Sequence, residues 1–555
     1  MKLSRLIVSA IALALTMPLS AETLVHNVKG YTITEDGLLT FHGLLYDDEG
    51  KVIQTLDKAS VDKLLQTKMK RNLIDGEGNY LLPGLIDAHG HIMSYGQALN
   101  NVDLTKSKSA EHAAELVAQF ARENNTQEWI LGRGWNQVLW EKNEFPNAET
   151  LDNAVPGKPV FLNRVDGHAA WANSEALRRA GIDRNTLDPA GGEIIKDENG
   201  NPTGVLIDNA MDIVSRAIPE ISEQQIIDYI ETAFAKLASE GLTSVHDAGI
   251  SPEEINAFKK IGAADRLDVR VYGMLAVTSD GYEEVIKKGP EPSLFDDKLS
   301  VRSIKIQIDG ALGSRGAALD EPYSDRPDSY GLLLHTPEQT EAMTKFAMDN
   351  GFQVNTHAIG DKGNRLLLDI FAKYPEHKNL RNRVEHAQIV HIEDIPRFKE
   401  LDVIPSMQTT HATSDMNMAK ARVGSKRLAG AYAWRKFLQQ GSRIANGSDF
   451  PVEPSNPFYG LHAAVTRQNR NDQPMGGWRA DQKMTREEAL RSFTLDAAYS
   501  GHQENVLGSL EAGKWADFII VDQDYFAIPE QDIWKIKVLA TFLAGKQVFA
   551  VSMDE

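Results

Sequence analysis

Apolar residues recur at alternate positions in eight short runs, each bounded by Gly, Asp or Asn: 85–91, 242–247, 269–275, 301–309, 353–357, 383–386, 403–408 and 443–449. A period of two is the mark of a β-strand. Between several of these runs lie stretches with helical periodicity, such as 341–349 and 395–401. Strands alternating with helices predict a parallel sheet, and eight such units predict a (β/α)8 barrel over residues 84–505.

The spacing breaks down between about residues 100 and 240, a gap far longer than one crossover helix, which holds its own strand-like run at 159–165. This predicts a large insertion after the first barrel strand, capping the barrel mouth. Residues 22–83 and 506–555 carry short strands and turns, with 517–521 the clearest strand. Chain ends often meet in space, so the two segments are expected to pair into one small β-sandwich.

At the extreme N-terminus Lys2 and Arg5 precede an apolar run from Leu6 to Leu15, followed by Pro18, Ser20 and Ala21. A membrane-crossing helix needs about 20 apolar residues. The run is shorter, so residues 1–21 are expected to be a secretory signal peptide that directs the protein out of the cytoplasm, to the periplasm.

Composition narrows the partners. Removing Lys2 and Arg5 with that segment takes the formal charge from −19 to −21. Such a surface repels nucleic acid and anionic lipid and leaves small molecules as the expected partners. A homodimer is one assembly open to the chain, and the sequence does not select it. Without cysteine there is neither a thiolate ligand nor a thiol nucleophile, so any metal must be held by nitrogen and oxygen.

Those donors are present. His89 and His91 stand two apart on the first strand and so face one side, at the C-terminal end where barrel enzymes work. His357, His386 and Asp449 each end a later strand. Five ligand-type side chains at one rim suit zinc better than a set of buried polar groups with no ion to satisfy them. The fourth strand places Ile304, Ile306 and Ile308 outward and Lys305 inward, with Asp309 beyond it. Lys305 has two readings at this point: an ion pair with Asp309 or another carboxylate, or a lysine carboxylated by carbon dioxide that bridges two cations about 3.5 to 4 Å apart.

Several motifs resemble the amidohydrolase superfamily, and within it the amidohydrolase-3 group that includes N-substituted formamide deformylases. They are 82–91 (LPGLIDAHGH), 309–315 (DGALGSR), 383–388 (RVEHAQ), 447–452 (GSDFPV) and 508–517 (GSLEAGKWAD). The resemblance implies one cation on His89, His91, Lys305 and Asp449, and a second on Lys305, His357 and His386, with carboxylated Lys305 as the bridge. It implies hydrolysis of a carbon–nitrogen bond by metal-activated hydroxide, Asp449 taking a proton and returning it to the leaving amine. Within the insertion 132–135 (GRGW) and 166–173 (DGHAAWAN) also match, which makes His168 the first choice for a substrate contact, with a loop histidine stabilising the cap as the other reading. Arg315 is either a hook for a substrate carboxylate or carbonyl, or the partner of an acid such as Asp320. His411 departs from the group's pattern, because Thr409 and Thr410 replace a proline-led approach; a substrate contact and a plain loop histidine both stay open. His246-Asp247 reads as structural. Trp135, Trp140, Trp171 and Phe450 fit either an aromatic pocket or a core. Hydrolysis of an ester, lactone or cyclic amide at the same site, and a barrel that binds without catalysis, are the alternatives.

Overall fold

The structure is a computed structural model that describes residues 22–67, 70–124, 128–164, 169–189 and 191–551. The expected signal peptide and His168 lie outside the described residues. Among these residues no helix is long and apolar enough to cross a membrane.

Eight parallel strands form one curved sheet: β1 (Leu85–Gly90), β2 (Leu242–Ile250), β3 (Arg270–Ala276), β4 (Leu299–Gln307), β5 (Gln353–Ala358), β6 (Arg383–His386), β7 (Ile404–Gln408) and β8 (Ala445–Gly447). They neighbour one another in chain order. All eight expected strands are therefore present, with boundaries moved by a few residues. The ring is closed by contacts just beyond the strand ends. Asp449 N donates to His89 O at 2.7 Å, His91 N donates to Phe450 O at 2.9 Å, and the Asp87 carboxylate accepts from Ser448 N at 3.1 Å and Ser448 Oγ at 2.7 Å.

The strands hold because their outward faces meet helices whose ends are marked in the sequence. Helix Pro337–Asp349 starts at Thr336, whose side chain accepts from Gln339 N while Gln339 accepts from Thr336 N. Ser222 and Gln225 start Glu223–Ser239 the same way, and Ser251 and Glu254 start Pro252–Ala263. Each reciprocal pair satisfies two amides left open at a helix start. Ile304, Ile306 and Ile308 are fully buried in the main hydrophobic core with Ile230, Phe234, Phe258 and Leu368.

The segment between β1 and β2 builds a separate six-stranded sheet with its own cores; Trp135, Trp140 and Trp171 belong to one of them. These three aromatics are packing residues, and Phe450 lies against Tyr95 with ring centroids 5.1 Å apart. The chain ends meet in a six-stranded sheet ordered Lys546–Ala550, Val538–Leu543, Phe518–Val521, Tyr80–Pro83, Lys29–Thr34, Gly37–Phe41. A further four-stranded sheet, Val52–Leu56, Gly43–Tyr46, Thr23–His26 and Asn72–Asp75, comes from the N-terminal segment alone.

Candidate active site

Parallel barrels present their strand C-termini on one face, so residues ending β1, β4, β5, β6 and β8 are brought together there. The ligand atoms of His89, His386 and Asp449 all lie within 4.8 Å of one another. His91 Nε2 is 3.0 Å from Asp449 Oδ1 and His89 Nε2 is 3.6 Å from it. Lys305 Nζ is 3.1 Å from His89 Nε2. The His357 ring stands edge-on to His386 with centroids 4.5 Å apart. Six side chains from five strands thus converge, and the Lys305–Asp309 ion pair is not formed. Asp309 instead accepts from the backbone amides of Ala318 (3.0 Å), Ile359 (3.0 Å) and Gly360 (2.8 Å).

His386 and Asp449 have φ of 72° and 64°, a left-handed backbone that side chains rarely adopt. Strain of this kind is held in place by surrounding structure and gathers at functional sites.

His411 also joins the cluster. It sits in helix Thr409–Asp415 directly after β7, its ring stacks on His386 with centroids 5.9 Å apart, and its Nε2 is 3.6 Å from Asp449 Oδ2. Arg315 does not: its Nε and Nη2 donate to Asp325 at 3.2 and 3.0 Å. Asp320 pairs with Arg365 instead. His246 Nδ1 lies 2.8 Å from Arg383 Nη1, and Asp247 Oδ1 accepts from Ile92 N at 3.1 Å.

Burial sets the electrostatics. It lowers Lys305 below the usual lysine value, an effect that the carboxylates of Glu385 and Asp449 only partly oppose. It also lowers His89 to about 4 and holds His386 well below its ordinary value, keeping both imidazoles neutral. For Asp449 burial acts upward, but the His91 hydrogen bond and the surrounding histidines outweigh it and hold the carboxyl well below its ordinary value. The site therefore presents the neutral imidazoles of His89 and His386, an anionic carboxylate and a lysine whose ammonium form burial disfavours. Nε2 of His411 and Nε2 of His357 are buried without a hydrogen-bond partner, although His357 Nε2 stands 3.4 Å from Asp309 Oδ1. Unpartnered nitrogens in this setting are what an ion would satisfy, and the donor set fits zinc.

Three contributors were not singled out from the sequence: Glu385 at His89 Nδ1 (2.5 Å), Gln408 at His386 Nδ1 (2.7 Å), and Asp87 clamping β1 to the chain after β8. Glu385 stands within the 383–388 motif, next to a chosen ligand, and that adjacency was the available signal.

The sequence pattern of the amidohydrolase family matches residues 72–549. This chain belongs to the amidohydrolase family. Among its relatives is the amidohydrolase YtcJ of Bacillus subtilis, 30% identical over 94% of this chain and 98% of that protein. The N-substituted formamide deformylase of Arthrobacter pascens is 24% identical over 85% of this chain and 89% of its own length. A solved structure of an uncharacterized metal-dependent hydrolase from Pyrococcus horikoshii superposes with a TM-score of 0.75 at 27% identity, covering 92% of this amidohydrolase and 99% of that chain. Family membership makes the protein a hydrolase, and carbon–nitrogen bonds are the bonds the family points to.

Proposed function

We propose that this amidohydrolase is exported to the periplasm and hydrolyses an amide, N-acyl or N-formyl bond of a small molecule, using two divalent cations, zinc by the character of the donors. The observation that carries this reading is the meeting of His89, His91, Lys305, His357, His386 and Asp449 at one barrel rim. His89, His91 and Asp449 would hold one cation, His357 and His386 the other, and Lys305, carboxylated on Nζ, both. The metal-dependent hydrolase of Pyrococcus and the deformylase of Arthrobacter support the metal and the bond type respectively. When bound, such ions supply polarisation of a carbonyl and a lowered pKa of attacking water.

The chain's own groups do the rest. Carboxylation requires a lysine nitrogen with a free lone pair, and burial of Lys305 biases it that way. Asp449 is an ionised acceptor at the centre of the cluster, so it takes the proton of the attacking water and passes it to the departing amine nitrogen. His411, beside Asp449 with an open Nε2, is placed to hydrogen-bond the substrate carbonyl or leaving group. His168, on the insertion, is retained as a substrate contact; Arg315 contributes only if substrate displaces Asp325.

Metal analysis of protein purified without added zinc, combined with a screen of N-acyl, N-formyl, ester and lactone compounds, tests this reading. Two equivalents of metal and chelator-sensitive release of an amine are expected. One equivalent would remove the lysine bridge, turnover of esters or lactones alone would reassign the bond, and ligand capture without turnover of any compound would make the protein a binder.

A further inference from the structure

Glu385 is not one of the ligands, yet it is fully buried with its Oε2 2.5 Å from Nδ1 of His89. Its Oε1 forms an ion pair with Arg383 Nε at 2.8 Å. Arg383 is fully buried too, and its guanidinium is fixed from several directions. Nη2 donates to Ala88 O at 2.7 Å, Ser406 Oγ at 2.8 Å and Glu385 Oε2 at 3.1 Å, while Nη1 meets His246 Nδ1 at 2.8 Å. Side chains and backbone of β1, β2, β6 and β7 are thereby joined into one polar layer directly beside the ligands. Apolar residues usually fill barrel interiors. A buried ion pair is costly unless every hydrogen-bonding position is used, so this layer calls for a role beyond packing.

Resting on the metal-site reading above, we propose that Glu385 is the positioning residue that selects the tautomer of His89 and so makes Nε2 its metal-binding atom, with Arg383 fixing Glu385 in place. A neutral imidazole carries one proton, and a carboxylate can only accept. The proton therefore sits on Nδ1, facing Glu385. The lone pair is left on Nε2, which looks toward Lys305 Nζ at 3.1 Å and Asp449 Oδ1 at 3.6 Å. An anionic acceptor behind a ligating histidine also makes the ligating nitrogen more basic. Arg383 lies against both carboxylate oxygens, hydrogen-bonding Oε2 and pairing in charge with Oε1, which keeps Glu385 from turning to the cations as a ligand itself. His386 reaches the same tautomer by a neutral route, its Nδ1 facing Gln408 Oε1 at 2.7 Å. That makes His386 an internal control.

The test uses the full chain stripped of metal, Zn²⁺ alone as probe, and the variant Glu385→Gln. Arg383 Nη2 already has Ala88 O and Ser406 Oγ as acceptors while Nε has only the Oε1 position, so Arg383 holds the amide oxygen of the variant there and leaves the amide NH₂, at the Oε2 position, facing His89 Nδ1. The histidine proton then moves to Nε2. Zinc affinity is expected to fall about 10- to 100-fold. In ¹⁵N-histidine spectra of the metal-free protein His89 changes from the Nδ1–H to the Nε2–H form while His386 stays as it was; a general loosening of the barrel would disturb both. Zinc affinity within about twofold of wild type, or an unchanged His89 tautomer, overturns the proposal and leaves the metal reading standing. A wild-type chain that takes up no zinc overturns both. If Glu385→Gln does not fold, the wild-type spectrum decides alone, because His89 in the Nε2–H form contradicts the proposal.

Discussion

Asp449 is the residue on which the proposed chemistry turns, since it is both a ligand-type group and an ionised acceptor beside the neutral imidazoles of His89 and His386. Asp449→Asn keeps the size and removes the basic oxygen. Turnover of the first N-acyl substrate found is expected to drop by about 10²- to 10⁴-fold, the usual contribution of a positioned acid–base group, measured as kcat. His502 shows burial acting far from this site. Its Nε2 bonds Leu380 O at 3.0 Å, and burial lowers its pKa to about 4. The unfolded chain, with an ordinary histidine near 6.5, takes up the proton first. The stabilising contribution of the neutral ring is thus complete above about pH 6.5 and lost as the pH falls toward 4. Melting curves of wild type and His502→Gln from pH 8 to 5 should show the wild type losing stability relative to the variant as acid is added; parallel curves would contradict this.

At the scale of elements, the site depends on how β1 and the chain after β8 are clamped together. Asp87, pushed up to about 7 by burial, accepts from His89 N as well as from Ser448 N and Oγ, so one side chain positions both ends that carry candidate ligands. Gly90 permits the approach: a Cβ there would lie 2.3 Å from Phe450 Cε1. The neighbour it spares is the ring that follows Asp449. Gly90→Ala must push Phe450 aside, at a cost of about 1–3 kcal/mol for overpacking. Urea unfolding should register that loss together with reduced zinc retention, because Asp449 moves with Phe450. The strands themselves were readable because outward apolar residues must meet helices, which forces a period of two. Glu385 escaped because strict alternation sets consecutive residues on opposite faces. The left-handed backbone at His386 breaks that alternation, and both neighbours reach the site.

Across the whole molecule, the barrel is fastened to the C-terminal strands by a buried ion pair. Arg270, at the start of β3, donates from Nε and Nη2 to Asp517 at 2.7 and 3.0 Å, and Asp517 also accepts from Ala544 N at 2.7 Å. Removing one charge of a buried pair strands the other, typically at about 3–5 kcal/mol. Asp517→Asn should be destabilised on that scale in urea, and the double variant Arg270→Met with Asp517→Leu by less than Asp517→Asn alone. What the sequence determined by itself was local and periodic: which stretches form strands, which side chains face inward, and which residue types are able to hold a cation. Tertiary structure alone decided the partners. His89 and Glu385 are 296 residues apart, and only closure of the barrel brings them to 2.5 Å. Arg315 was likewise settled by folding, which set Asp325 and not Asp320 against it. Periodicity reports the environment of each position one at a time. Pairing between distant strands depends on the register and curvature of the closed sheet, which no local stretch of sequence contains.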